Sequence, residues 1–237
     1  MAIRAVLFDW GGTLVRDDTV RLLEPCDAVA AYARETLGLA VESRALEEAF
    51  QAVLPPYLPG ETLVSPHIVS LMGSAFARLG LPLEEQEAEA CGLRFFDADA
   101  AGQRLYDDAR ALLASLRMRG YAVGVVTNTI FPGSFLWSNL MRLGIAGYVD
   151  ALVTSVDAGW AKPHPAPYEK VLADLRLEPA DAIFIGDRLD TDIAGARAAG
   201  IAPLFLARDG WQGEADGFEV IERLSGVNLL LGEGSAK

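Results

Sequence analysis

The fold is decided by the stretch Ile3-Arg-Ala-Val-Leu-Phe-Asp-Trp-Gly-Gly-Thr13, in which a run of apolar residues ends abruptly at an aspartate. A short, continuous apolar run is typical of a strand that is buried on both faces of a parallel sheet. The sequence therefore predicts a first strand at residues 3–8. Similar runs, rich in β-branched residues, follow at residues 122–126, 151–154, 182–185 and 203–206.

Helical patterns alternate with these predicted strands, at residues 109–119, 167–175 and 192–199. The first and last of them are followed by Gly120 and Gly200, and a glycine just past the last turn is a common helix C-cap. Alternation of strands and helices favours a doubly wound α/β fold with a parallel sheet.

One long gap interrupts this alternation, because the second convincing strand comes more than a hundred residues after the first. The intervening segment is mostly helical in pattern, for example at residues 26–37, 43–53 and 68–79, with a proline-rich break at residues 54–59. We therefore predict a catalytic core made of residues 1–17 and 99–237 and a helical cap domain made of residues 18–98.

The composition of the chain narrows both the class of partner that it can bind and the cellular compartment that we expect for it. The net charge of -13 argues against a nucleic acid or an anionic membrane as the main partner, and 51% apolar residues allow a large core. No apolar stretch is long enough for a membrane span. Cys26 and Cys91 are isolated cysteines, which is typical of a reduced, intracellular protein. We therefore expect a cytoplasmic protein; its oligomeric state is not indicated.

Polar residues follow the predicted strands at the carboxyl ends where open parallel sheets bind their ligands. They lie in four short segments: Asp9-Trp-Gly-Gly-Thr13, Thr127-Asn128, Lys162-Pro163 and Gly186-Asp187-Arg-Leu-Asp-Thr-Asp192. Each segment alone is an ordinary cap or turn. Four of them in order predict one site at one edge of the sheet.

These residue types suit phosphoryl chemistry. Asp9 and Asp187 can share Mg²⁺, which prefers a few carboxylates together with water and phosphate oxygens. The cation would also reduce the repulsion between an anionic nucleophile and an anionic phosphate.

The other residues of the four segments suit the phosphate group itself. Gly12, together with Gly11, lets backbone amides approach a phosphate closely. Thr127 and Asn128 can donate hydrogen bonds to its oxygens, and Lys162 supplies a compact positive charge.

With these four segments in this order, the chain resembles the haloacid dehalogenase superfamily of hydrolases over nearly its whole length. The resemblance implies a Rossmann-like core with a helical cap between the first and second motifs. It implies that Asp9 is the nucleophile and forms an aspartyl-phosphate that water later hydrolyses, with Lys162 also in the catalytic set. It further implies that Asp9, the Gly11 carbonyl and Asp187 bind Mg²⁺, with Asp192 in the same metal site behind them. The expected activity is a Mg²⁺-dependent phosphatase acting on a small phosphorylated metabolite.

Gly11 departs from the pattern of this family. Phosphatases that it resembles carry a second aspartate there, two residues after the nucleophile, as general acid and base. A positioned acid or base contributes about 10²–10⁴-fold, so we expect slow hydrolysis of ordinary phosphomonoesters. Asp17, Asp190 or a residue of the cap are the candidates to replace it.

Three alternatives remain open from the sequence. A 2-haloacid dehalogenase would use Asp9 without metal and bind the haloacid carboxylate through Arg16 or Arg21. A phosphonate-cleaving enzyme would need a lysine in the cap, and no lysine precedes Lys162. A regulatory protein would keep the phosphate and metal site for binding only, but it would have no need for the nucleophile.

Overall fold

The computed structural model of the protein describes residues 3–17, 22–54, 64–208 and 210–232. Its strands are β1 (Ala5–Phe8), β2 (Val15–Asp17), β3 (Gln103–Leu105), β4 (Ala122–Thr127), β5 (Ala151–Thr154), β6 (Ala182–Gly186), β7 (Ala202–Leu206) and β8 (Glu219–Ile221). Its α-helices are α1 (Leu23–Tyr32), α2 (Ser43–Val53), α3 (Ile68–Arg78), α4 (Glu85–Ala101), α5 (Ala109–Met118), α6 (Gly133–Arg142), α7 (Ser155–Ala158), α8 (Ala166–Leu175), α9 (Ala194–Ala198) and α10 (Gly226–Leu230).

The main sheet is parallel throughout and has the order β5-β4-β1-β6-β7-β8. The first strand of the chain therefore lies inside the sheet, with β4 on one side and β6 on the other. The five predicted strands all belong to this sheet, with ends that differ by at most two residues. The predicted doubly wound α/β fold is confirmed.

Helices cover both faces of the sheet because β1 is apolar on both of its faces. Ala5 and Leu7 belong to the core cluster that includes residues of α8 and α9. Val6 and Phe8 point to the other face and belong to the cluster that includes residues of α5 and α6. This two-sided burial explains why β1 reads as a continuous apolar run rather than an alternating one.

The helices α1 to α4 form a separate layer, in which α4 packs against α1 and α3. Phe50 on α2 and Phe95 on α4 stack with ring centroids 4.8 Å apart. The helix α4 continues through residue 98 to Ala101, so the predicted cap boundary at that residue stays a prediction. Most of the predicted proline-rich break, from residue 55 onward, lies outside the described residues.

Two short pieces of sheet are absent from the sequence predictions. The antiparallel ribbon of β2 and β3 pairs Val15 with Leu105, and β2 comes shortly after Asp9 in the chain. Strand β8 is a half-exposed edge strand of three residues. Neither has an apolar run that would indicate a strand. Within the described ranges, no helix has the length and apolarity needed to cross a membrane.

Candidate active site

Asp9 lies directly after β1, at the edge of the sheet where the parallel strands end. Its side chain is buried, and its backbone N–H donates a 2.9 Å hydrogen bond to the Ile185 carbonyl on β6. Its Oδ1 atom accepts a 2.6 Å hydrogen bond from Nζ of Lys162. The sheet and the lysine together therefore fix the position of this carboxylate.

The Lys162 ammonium group is 2% exposed and uses all three of its N–H bonds. It donates to Oδ1 of Asp9 and Oδ1 of Asp192, both at 2.6 Å, and to the Val126 carbonyl at 3.0 Å. Burial by itself would lower the pKa of Lys162, but the charges and hydrogen bonds of Asp192 and Asp9 outweigh burial and raise the pKa. Lys162 therefore stays an ammonium ion at neutral pH and acts as a fixed counter-charge.

Asn128 holds the backbone of Lys162 in place. Its Nδ2 donates to the Lys162 carbonyl at 2.9 Å, and its Oδ1 accepts from the Lys162 N–H at 2.7 Å. The peptide bond between Lys162 and Pro163 is cis. The sequence analysis predicts a phosphate contact for Asn128 and for Thr127, which is buried beside it. That contact stays a prediction, and the structure adds a positioning contact between Asn128 and Lys162.

Asp187 follows β6 and lies against the loop that comes after Asp9. Thr13 Oγ1 donates to Asp187 Oδ1 at 3.3 Å. Gly12 has a φ of 77°, and a Cβ there would come within 2.7 Å of Asp187 Cγ, so only glycine fits. The N–H of Gly12 donates to the Val15 carbonyl at 2.8 Å. Gly12 therefore leaves room for Asp187, and its predicted phosphate contact stays a prediction.

Asp9, Asp187 and Asp192 form a cluster in which one carboxylate oxygen of each lies within 4.8 Å of the others. Burial raises the pKa of Asp9 to about 7, against the opposing effect of Lys162, and the charges of Asp192 and Asp187 add to it. Burial and then the charge of Asp192 raise the pKa of Asp187. Three carboxylates share one ammonium group, so the cluster holds an excess of negative charge.

This cluster has the donor chemistry of a site for a divalent cation. Hard cations such as Mg²⁺ take carboxylate oxygens and reduce the mutual repulsion of the carboxylates that hold them. Asp9 and Asp187 are the carboxylates that are suited to this, because Asp192 has both oxygens engaged. The residues that are present therefore fit the predicted cation.

Asp192 differs from the other two members of the cluster. Its Oδ1 accepts from Lys162, and its Oδ2 accepts from the Arg188 N–H at 3.1 Å. It lies in the π-helical turn Leu189–Ile193, which continues into α9, so the helix predicted at residues 192–199 starts earlier, with a wider first turn, and ends at Ala198. Gly186 leaves the space that Asp192 fills, since a Cβ there would overlap the carboxylate. Asp192 therefore holds the Lys162 ammonium group in position.

A cavity of about 340 Å³ lies over this edge of the sheet. Its size is at the lower end for small-molecule sites, which span about 300–1,000 Å³. The sheet edge and the loops after it supply most of the lining: Asp9, Trp10, Gly11, Thr127, Asn128, Thr129, Phe131, Lys162, Arg188, Thr191 and Asp192. Helix α4, strand β3 and helix α6 supply the rest: Phe96, Asp99, Gln103 and Leu136.

Gly11 is exposed in this cavity, and the space around its Cα would accommodate a side chain. Its φ lies outside the left-handed region, and no heavy atom of the described residues comes within 4 Å of a Cβ built on it. The backbone would therefore accept any residue there, aspartate included. In this respect Gly11 is the opposite of Gly12, where both the backbone and Asp187 require glycine.

The model of the haloacid dehalogenase-like hydrolase family matches residues 3–200. The chain belongs to this family. The match spans all four segments that line the sheet edge, from Asp9 to Asp192, and the helical layer between the first two. The protein is therefore a hydrolase, and the resemblance inferred from the four motifs is confirmed.

Relatives of this hydrolase include two phosphatases. A glyceraldehyde 3-phosphate phosphatase from Methanopyrus kandleri is 29% identical, over 89% of this chain and 86% of the relative. A phosphoglycolate phosphatase from Yersinia pseudotuberculosis is also 29% identical, over 90% of this chain and 85% of the relative. A 2-haloacid dehalogenase structure from Pseudomonas syringae pv. Tomato has a TM-score of 0.68 at 23% identity, covering 98% and 99% of the two chains. The last likeness concerns the fold alone.

Arg208 of the hydrolase is a positioning residue that the sequence analysis misses. It follows β7 and donates from Nη2 to the Thr13 carbonyl at 2.8 Å and from Nε to the Gly12 carbonyl at 3.3 Å. Asp108 holds the same guanidinium group at 3.1 and 3.3 Å. Arg208 therefore fixes the loop after Asp9. The sequence rule applied to the other strands, that the residue after a strand end is informative, would have found it.

Gln103 on β3 links the loop after Asp9 to the helical layer of the hydrolase. Its Oε1 accepts from Trp10 Nε1 at 3.1 Å and from Asn139 Nδ2 at 2.7 Å. Arg142 donates to Oδ1 of the buried Asn139 at 2.9 Å and to the Ala100 carbonyl at the end of α4 at 2.6 Å. No local pattern in the sequence indicates this chain of contacts, because its members come from a loop, a ribbon and two helices.

Of the residues named for the alternatives, Arg16 and Asp190 are described by the structure and do not line the cavity. Arg16 is exposed on β2 and is not part of the lining, and Arg21 lies outside the described residues. Asp190 is exposed and forms a 2.7 Å ion pair with Arg188. The hydrogen bond from Arg188 lowers the pKa of Asp190, which makes its carboxylate a poor proton donor. The side chain of Asp17 lies outside the described residues.

Proposed function

We propose that this hydrolase is a Mg²⁺-dependent phosphatase that acts on a small phosphorylated metabolite through an aspartyl-phosphate at Asp9. The observation that carries the proposal is the arrangement around Asp9. A buried carboxylate is held by the Lys162 ammonium group beside Asp187, at the base of a small cavity. Asp9, Lys162 and Asp187 are the parts that in-line phosphoryl transfer to a carboxylate needs.

The residues around the cavity have different roles in the proposed reaction. Asp9 attacks phosphorus, and its fixed position removes the need to orient the nucleophile during the reaction. Lys162 balances the charge of Asp9 and Asp192, so that a phosphate dianion can enter a site that is rich in carboxylates. Thr127 and Asn128 line the cavity where phosphate oxygens would lie. Bound Mg²⁺ would neutralise phosphoryl charge, and Asp9, Asp187 and the Gly11 carbonyl would hold it.

Substrate size and class are supported by two observations. The cavity of about 340 Å³ suits a phosphorylated compound of a few carbon atoms. The relatives named above are phosphatases of glyceraldehyde 3-phosphate and of phosphoglycolate, which are three-carbon and two-carbon compounds. We propose a cytoplasmic location, which agrees with Cys26 and Cys91 being buried, free thiols.

A phosphate-release assay on glyceraldehyde 3-phosphate, 2-phosphoglycolate and p-nitrophenyl phosphate tests the proposal, with Mg²⁺ and with EDTA. We expect turnover that needs Mg²⁺ and that falls to background in Asp9→Asn, which removes the nucleophile at nearly constant shape. Asp97→Asn is the matched control, because Asp97 is an exposed carboxylate on α4. Equal release by wild type and Asp9→Asn would refute the proposal.

Two other outcomes of these experiments would replace the phosphatase proposal with another function. Halide release from a 2-haloacid that EDTA does not affect would make the protein a dehalogenase. Thermal stabilisation by Mg²⁺ and phosphate without turnover would make it a binding protein.

A further inference from the structure

We propose that Asp99, on the last turn of α4, is the general acid and base that replaces the aspartate missing at Gly11. This inference rests on the proposed phosphatase function. It assigns a second catalytic residue and places it in the helical layer rather than on the sheet edge.

The first argument is a process of elimination among the ionisable side chains that line the cavity. Within the described part of the chain these are Asp9, Asp99, Lys162, Arg188 and Asp192. Asp9 is the nucleophile, and Lys162 and Asp192 are only 3% and 1% exposed, so they are less accessible to a leaving group than the half-buried Asp99. A guanidinium group such as that of Arg188 does not give up its proton in proteins. Asp99 is the remaining group that can exchange a proton.

The second argument is the direction of the reaction. In an in-line displacement, the leaving oxygen departs on the side of phosphorus opposite the attacking oxygen. Asp9 lies at the end of β1, and Phe96 and Asp99 of α4, in the helical layer, line the same cavity. A phosphate in contact with Asp9 therefore directs its leaving group away from the sheet, toward the lining that α4 supplies. Among these two side chains only Asp99 can donate a proton.

The third argument is the space at Gly11. Among the described residues, no heavy atom comes within 4 Å of a Cβ built on Gly11, so this part of the cavity lining leaves room for a leaving group and a water molecule. An acid placed on α4 can reach the same oxygen from the other side. Asp99 is half-buried, which allows its carboxyl group both to meet substrate and to exchange protons with solvent.

The two steps balance as follows. In the first, an oxygen of Asp9 forms a bond to phosphorus, the bond from phosphorus to the leaving oxygen breaks, and that oxygen takes the proton of Asp99. In the second, the Asp99 carboxylate takes a proton from water as the water oxygen attacks phosphorus. The bond between phosphorus and Asp9 breaks, and both carboxyl groups return to their starting states.

The test compares Asp99→Asn, Gly11→Asp and the double variant with wild type, and uses Asp97→Asn on the same helix as the control. The substrates are 2-phosphoglycolate, whose leaving alkoxide needs a proton, and p-nitrophenyl phosphate, whose leaving phenolate does not. We expect Asp99→Asn to lower steady-state turnover of 2-phosphoglycolate by about 10²–10⁴-fold. With p-nitrophenyl phosphate we expect a burst of nitrophenolate and accumulation of phosphorylated Asp9, visible by mass spectrometry after acid quench.

Gly11→Asp provides a readout that a purely structural role of Asp99 would not give. If the two aspartates do the same work, Gly11→Asp restores turnover in Asp99→Asn by a larger factor than it raises wild-type turnover. Should Asp99→Asn fail to fold by circular dichroism, Asp99→Ser replaces it.

The inference is overturned if Asp99→Asn keeps turnover within about threefold of Asp97→Asn. It is also overturned if both substrates slow equally without a phosphorylated enzyme, or if Gly11→Asp does not rescue. A wild-type enzyme that releases no phosphate refutes the phosphatase proposal itself, so the two failures are distinguishable.

Discussion

The two sides of the cavity are built on different principles. On the sheet side, Asp9, Lys162 and Asp192 are buried and joined by 2.6 Å hydrogen bonds whose geometry is set before any substrate arrives. On the side of the helical layer, α4 offers an aromatic ring, Phe96, and a half-buried carboxyl group, Asp99. The difference teaches that the buried ion pairs of the sheet side are preorganised, whereas the proton transfer that we propose belongs to the more accessible helical layer.

The largest effect is expected on the sheet side, from Lys162→Met. Removal of the ammonium group leaves the carboxylates of Asp9 and Asp192 buried and unpaired, which costs about 3–5 kcal/mol of unfolding free energy. Chemical denaturation of metal-free protein measures this. The control is Lys170→Met, whose exposed pair with Asp174 contributes about 0.3–0.5 kcal/mol. Equal losses in the two variants would show that the buried network is not preorganised.

A second effect on the same side concerns pH. Burial raises the pKa of Asp9 to about 7. At pH values between the ordinary pKa of an aspartate and about 7, the folded protein therefore keeps a proton that the unfolded chain releases. The free energy of unfolding of metal-free protein should therefore fall, by a few kcal/mol at most, as the pH rises from about 4 to about 7. Asp9→Asn should have a shallower slope over this range. If the unfolding free energies of wild type and Asp9→Asn changed with pH in parallel, the raised pKa of Asp9 would be contradicted.

A smaller effect is expected from Gly12→Ala. The positive φ and the approach to Asp187 predict a loss of about 1–3 kcal/mol of stability and a weaker affinity for Mg²⁺. Gly11→Ala, one residue earlier, should change stability by no more than about 0.5 kcal/mol, because its Cβ meets open space. Chemical denaturation and Mg²⁺ titration of the two variants measure these changes. A larger loss of stability in Gly11→Ala than in Gly12→Ala would show that the loop after Asp9 differs from the one described.

The smallest effect is expected on the helical side, from Phe96→Leu. Phe96 packs edge-on against Phe131 with ring centroids 4.9 Å apart, a contact that contributes about 0.5–1.5 kcal/mol. Stability should fall by about this amount. The ratio of kcat/KM between 2-phosphoglycolate and glyceraldehyde 3-phosphate should change, while formation of phosphorylated Asp9 persists. Loss of the phosphorylated enzyme would place Phe96 in the chemistry rather than in substrate fit.

The sheet side could be predicted from the sequence because each of its residues directly follows an apolar strand. Asp9, Thr127 and Asp187 are placed by strand position alone, and the parallel topology brings them to one edge. Lys162 comes after β5 and the short helix α7, and Asn128 then fixes its backbone.

The helical side could not be predicted in the same way. Asp99 and Phe96 lie on a helix whose sequence is acidic and contains Gly92, with no regular apolar stripe. Which of its side chains face the cavity depends on how α4 packs against α1 and α3, and this is a tertiary property. Gln103 belongs to a ribbon of three residues, which is too short for any periodic signal.

The position of Trp10 has a practical consequence. Trp10 follows Asp9 in the chain and lines the same cavity, is 6% exposed, and donates its indole N–H to Gln103. Indole fluorescence responds to nearby charge and polarity, so Trp10 equips the protein with an internal optical reporter of its own active site. Replacement of the exposed Trp160 by phenylalanine would lower the background emission. Arrival of a cation or a phosphate next to Asp9 then becomes visible in real time, without label and without turnover.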